Sequence, residues 1–167
     1  MTLERITLTI AKTVAKVQSV KFGKSKGANA ERRRTFKVRI RLQLGTDVID
    51  DLAQGNLSTT FWNFRGEPQH AELYPLHVSQ VLQNVEVKLF DSLAGPMILE
   101  GVDVEKIQIV PKGDRRADVE FTVRGVAPEG LLLDWGDRFW RMIEEPVELS
   151  AKARQAELEL RSADVAA

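Results

Sequence analysis

Residues Phe36-Lys-Val-Arg-Ile-Arg-Leu-Gln-Leu44 decide the fold class. Apolar side chains at 36, 38, 40, 42 and 44 alternate with polar ones at 37, 39, 41 and 43. Successive side chains of an extended strand point to opposite faces. A period of two therefore sends the apolar set to a core and leaves Lys37, Arg39 and Arg41 outside. One buried face and one wet face mark an antiparallel strand.

Upstream, Ile6, Leu8 and Ile10 alternate with Arg5, Thr7 and Thr9, and Val20 and Phe22 fit a second short strand. The residues between Phe22 and Phe36 are rich in Gly, Ser, Asn and charge, without apolar periodicity, and read as a hairpin loop. Downstream, Gly45 closes the long strand, and Thr46 or Asp47 is placed to cap a short helix carrying Val48, Ile49 and Leu52 that Gly55 ends. Residues 57–64 are aromatic and β-prone, and Arg65-Gly-Glu-Pro68 reads as a turn. Val85, Val87 and Leu89 alternate, and residues 97–99, 102–104 and 107–109 are short strand candidates. Residues 104–110 and 118–124 flank a Pro111-Lys-Gly-Asp114 turn and read as a β-hairpin with Lys112, Arg115 and Arg116 near its tip.

After Gly125 the character changes. Asp134 is placed to cap a helix bearing Trp135, Phe139, Met142 and Ile143 at helical spacing, with Trp140 one step off that stripe, and Pro146 stops it. Residues 150–161 fit either a surface helix or a final strand, because Ala156, Leu158 and Leu160 alternate. The expected organisation is a single β-rich domain over residues 1–150, with 151–167 a terminal helix or strand and a frayed tail. Short strands with late helices, and no βαβ alternation, predict a mainly β (α+β) fold. An antiparallel sandwich or small barrel is expected, with a long basic hairpin and one or two C-terminal helices.

The chain has 167 residues, with 24 Lys+Arg balanced by 24 Asp+Glu, but the balance is a sum of unlike parts. Residues 1–41 hold twelve Lys/Arg and two acids, a net +10, and the remainder carries −10. Such asymmetry points to nucleic acid or another acidic partner. The plain alternative is that the basic segment folds against its own acidic remainder.

Catalytic chemistry is poorly supplied. The chain has no Cys, which excludes disulfides, Cys-ligated zinc and a thiol nucleophile and fits a reducing compartment. No P-loop, dinucleotide fingerprint or G-x-S-x-G elbow occurs. The histidines are His70 and His77; His70 with Glu72 has the donors for a metal, although an exposed loop position explains them more simply. Glu86-Val-Lys88 has the E-x-K element of metal-dependent nucleases, which would need Glu72 or Asp51 as an acidic partner. The polar half of an alternating strand accounts for the same residues. No apolar run approaches ~20 residues, so no membrane span is expected, and the segment Met1–Lys12 lacks the apolar run of a signal peptide. No cofactor is expected, and the expected location is cytoplasmic.

The leading expectation is therefore a non-enzymatic nucleic-acid-binding protein. The candidate contacts are Lys21, Lys24, Lys26, Arg32, Arg33, Arg34, Lys37, Arg39 and Arg41 on the basic hairpin, with Lys112, Arg115 and Arg116 joining them if the two turns share one end of the sheet. Lys37, Arg39 and Arg41 would stand ~7 Å apart in a row, close to the phosphate spacing along one strand. Within Phe61-Trp-Asn-Phe64, Trp62 is the candidate for stacking on an unpaired base. The alternative is a protein-binding or self-assembling module, in which the basic segment meets an acidic protein surface or a second copy of the chain.

The stretch Ile98-Leu-Glu-Gly-Val-Asp-Val-Glu-Lys-Ile-Gln-Ile-Val-Pro-Lys-Gly-Asp114, followed by Val119-Glu-Phe-Thr-Val-Arg124, resembles segments of small phage and prophage accessory proteins. The likeness covers about residues 85–126 and is a hairpin pattern. It implies an accessory role in replication, recombination or counter-defence in a host cytoplasm, and it transfers no functional residues.

Overall fold

The computed structural model describes residues 9–24, 34–53, 57–91, 95–127 and 132–153. Within them lie strands β1 (Thr9–Lys24), β2 (Arg34–Gly45), β3 (Leu76–Val78), β4 (Leu82–Phe90), β5 (Pro96–Pro111), β6 (Arg116–Ala127) and β7 (Val147–Ala153), and helices α1 (Thr46–Ala53), α2 (Leu57–Phe61) and α3 (Leu132–Glu144). All strand pairings are antiparallel. The order β5-β4-β7-β1-β2-β6 is closed by a β5–β6 pairing, so six strands form a small barrel. β3 continues the β4 side of β5 where β4 ends, with Leu76 opposite Ile109. Closure leaves the barrel wall without a free edge.

The alternation in β2 holds throughout: Phe36, Val38, Ile40, Leu42 and Leu44 are buried, and the residues between them are exposed. Facing them inside are Val119, Phe121 and Val123 of β6, Val85, Val87 and Leu89 of β4, Leu149 and Ala151 of β7, and Val17 of β1. The three short strands expected over 97–109 are instead one sixteen-residue strand. Its inward set changes parity twice, from Met97 and Leu99 to Val102 and Val104 and then to Ile107 and Ile109. Each change falls at a residue with positive φ, Gly101 (61°) and Lys106 (53°), and Asn84 (55°) makes the corresponding shift in β4. These are β-bulges, which add a residue, increase the local twist and let a long strand coil around a closed barrel.

Helices close both ends. α3 lies where β1 finishes and β2 begins. Trp135 meets Phe36 edge-on at 5.5 Å between ring centroids, and Phe139 stands 6.1 Å from Phe36 and 6.4 Å from Phe22. Such pairs add about 0.5–1.5 kcal/mol each beyond area burial. Trp140, off the buried stripe, is exposed. At the other end α1 follows directly from Gly45 and buries Ile49. The Asp50 carboxylate accepts hydrogen bonds from the Ser58 amide (2.8 Å) and hydroxyl (2.7 Å), tying α1 to α2.

Residues 57–61 are thus helical, not extended. The reason is that Phe61 and Trp62 are both buried, and neighbouring residues of a strand cannot both face one core. The terminal segment is a strand through Ala153, and the expected boundary at 150 falls inside it, between buried Leu149 and Ala151. Ile6, Leu8, Gly55, residues 25–33 and residues 154–167 lie outside the described residues.

Candidate functional site

The outer face of β1, β2 and β6 gathers most of the predicted residues. In the β1–β2 ladder Lys16 stands opposite Arg41, Ser19 opposite Arg39, Lys21 opposite Lys37 and Lys24 opposite Arg34. In the β2–β6 ladder Lys37 stands opposite Arg124, Arg41 opposite Glu120 and Gln43 opposite Asp118. A basic stripe on β1 and β2 therefore runs beside an acidic stripe on β6.

Two arginines of β2, Arg39 and Arg41, are committed to that acidic stripe. Arg41 binds Asp118 at 2.7 Å, with Gln43 donating to the same carboxylate at 3.2 Å, and Arg39 pairs with Glu120. Arg124 bridges Asp103 at 3.0 Å and Glu105 at 3.7 Å. Burial pushes the Asp118 carboxyl up, but the hydrogen bonds from Arg41 and Gln43 and the charges of Arg41 and Lys112 outweigh it and hold the carboxyl below its ordinary value. The expected self-neutralisation of the basic segment is thus real at Arg39 and Arg41.

The lysines differ. Among the described residues, Lys21, Lys37 and Lys106 have no ion-pair partner. The three line one groove of about 300 Å³, together with Ser19, Gln108 and Thr122 and next to the Arg39–Glu120 pair. Lysine supplies a point charge with three donors on a flexible stem, and hydroxyl and amide groups beside it add hydrogen bonds to an anion. A second, more open depression of about 640 Å³ continues along β2, lined by Lys16, Gln18, Arg41, Arg116 and Asp118. Lys106 was invisible to charge counting in the basic segment. Its signal is the break in alternation between Val104 and Ile107.

The two basic turns do not share an end of the sheet. Arg34 pairs with Ala127 at one end of β2, and Gly45 pairs with Arg116 at the other, eleven steps or about 36 Å away. What connects them is the basic face between. Lys26, Arg32 and Arg33 lie outside the described residues, as does the side chain of Lys24.

Trp62 is not a stacking platform. It is 4% exposed, and its indole N–H donates to the Lys112 carbonyl at 2.7 Å. The neighbouring exposed ring is Phe64, at 84%. Arg65 lies 5.4 Å from its centroid, and Arg115 donates to the Phe64 carbonyl at 3.0 Å.

Glu86 and Lys88 share the outer face of β4, 3.7 Å apart, with Glu86 opposite Lys152. His70 and Glu72 are exposed and 3.5 Å apart. Asp51 lies on α1 and Glu72 in the turn Ala71–Leu73. Among the described residues, no three His, Asp or Glu gather to hold a metal, and no helix is long and apolar enough to cross a membrane. No protein-family model, curated protein or solved structure matches the chain.

Proposed function

We propose that this is a non-enzymatic nucleic-acid-binding accessory protein that holds a phosphate backbone along the outer face of β1 and β2. The observation that carries the reading is the opposition of Lys21 and Lys37 with no carboxylate partner among the described residues. Like charges directly opposite across a ladder destabilise a sheet, so folding alone gives no reason to keep them. A phosphate between them relieves the repulsion. Lys106 supports the same reading: it brings a third cation to the groove from a left-handed backbone position, where glycine would be less strained. Arg39 and Arg41 then act mainly by fixing the face. The resemblance of residues 85–126 to phage accessory proteins fits this role, and the proposal includes action in a host cytoplasm.

Fluorescence anisotropy with labelled single- and double-stranded DNA and RNA at low salt tests it. The wild type should bind at least one of them, and Lys21→Ala/Lys37→Ala should weaken that binding about tenfold or more. Absence of binding to all four ligands refutes the reading.

A protein partner is favoured by one separate observation: among the described residues β3 pairs with β5 alone, an edge on which another chain could add a strand. Oligomerisation in solution at low and high salt, without nucleic-acid binding, would support that alternative.

A further inference from the structure

The loop after Trp62 is unusually well fixed for one that presents a bare aromatic ring. The Asn63 side-chain oxygen accepts the amides of Arg65 (2.9 Å) and Glu67 (3.0 Å), and its side-chain nitrogen donates to the Glu67 carboxylate at 3.2 Å. Backbone bonds from Asn63 to Glu67 (2.9 Å) and from Gly66 to Asn63 (3.0 Å) close the turn. Gly66 has φ 77°, and a Cβ there would stand 3.2 Å from Arg115 Cγ. The whole turn is docked on the β5–β6 turn by the Arg115 amide, which donates to the Gly66 carbonyl at 3.3 Å, and by the Arg115 guanidinium on the Phe64 carbonyl.

The β5–β6 turn carries its own oddity. Asp114 and Arg115 both have positive φ, 59° and 55°, and the Arg116 amide donates to the Gly113 carbonyl, which is a type I′ turn. The second central position of that turn favours glycine, and here it is an arginine. The backbone therefore carries strain at a residue whose guanidinium orients the Phe64 loop. Arg65 lies 5.4 Å from the ring centroid and Arg115 reaches the Phe64 carbonyl, with Lys112 and Arg116 beside Arg115 in sequence, against Asp114 and a Glu67 already bonded to Asn63.

We infer that Phe64 stacks on an unpaired base while Arg65, Arg115 and Arg116 hold the flanking phosphates, so that single-stranded nucleic acid is the preferred ligand. The inference rests on the nucleic-acid reading above and names the form of ligand. Every base has a π face, so the contact is independent of sequence, whereas a duplex keeps its bases stacked and offers nothing to the ring. The basic depression lined by Lys16, Arg41 and Arg116 leads along β2 from the lysine groove toward this end.

The test compares Phe64→Ala, Phe64→Trp and Arg115→Gly with the wild type, using a labelled oligothymidylate and a labelled duplex, with melting temperature as the folding control. Phe64→Ala should weaken binding of the single strand about tenfold and leave the duplex unchanged; Phe64→Trp should restore it. Arg115→Gly should relieve the turn, keep the fold and weaken the single strand. Single-strand binding by Phe64→Ala equal to wild type, or equal loss on both ligands, overturns the inference while the lysine groove stands. A wild type that binds neither overturns both.

Discussion

Lys21 stands directly opposite Lys37 on neighbouring antiparallel strands, both exposed, while Arg39 and Arg41 two and four residues along the same face are tied to Glu120 and Asp118. The β1–β2 face thus pairs Arg39 and Arg41 internally and leaves Lys21 and Lys37 facing outward, with Lys106 beside them. That division separates residues that hold the face from residues available to a ligand.

Reversing the charge at one of these positions should raise stability and lower binding together. Lys37→Glu supplies a carboxylate opposite both Lys21 and Arg124. Thermal unfolding should show a gain of about 0.2–1 kcal/mol, and nucleic-acid affinity should fall by more than tenfold. A variant that is stabilised and still binds like the wild type would disconnect the pair from the ligand.

Lys106→Gly separates backbone strain from side-chain function. At φ 53° a glycine carries no Cβ penalty, so stability should rise by about 1 kcal/mol while affinity falls. Lys106→Ala should lose the same affinity without the gain in stability, read by denaturant titration beside anisotropy.

Asp118 gives a pH-dependent signature. Its carboxyl is held below the ordinary value in the folded protein, so it contributes stability that is fully present above the unfolded value of about 4. That contribution is lost as pH falls through the lower folded value. Asp118→Asn should therefore melt below the wild type at neutral pH, with the difference shrinking as pH drops below about 4. Because the pair is partly exposed, a modest effect is expected, and high salt should reduce it.

The end of the barrel under α3 is predicted to be intolerant of volume. A Cβ on Gly125 would stand 2.8 Å from both Phe36 Cζ and Val102 Cγ1. Gly125→Ala should destabilise by about 1–3 kcal/mol, seen as a lowered melting temperature.

Periodicity made β2, α1, α3 and the β5–β6 hairpin legible, since each has a continuous stripe such as Phe36 to Leu44 or Trp135, Phe139 and Met142. It could not join residues 96–111 into one strand, because bulges at Gly101 and Lys106 interrupt the stripe that reveals a strand. Nor could it choose a barrel over a sandwich. Alternation tells which face is buried, whereas closure depends on the remote pairings of β4 with β7 and β5 with β6. The site was half legible for a similar reason. Charge counting found the basic stripe, but the acids that neutralise Arg39 and Arg41 come from β6, some eighty residues later. Trp62 and Phe64, two apart in sequence, are divided into inside and outside by a turn that only the Asn63 and Arg115 bonds define.

The salt dependence of binding tests the lysine groove most directly. Log affinity for a labelled single strand should fall linearly with log salt, and removal of three phosphate contacts in Lys21→Ala/Lys37→Ala/Lys106→Ala should make the slope shallower by about 2. A triple variant with the wild-type slope and affinity would contradict the account.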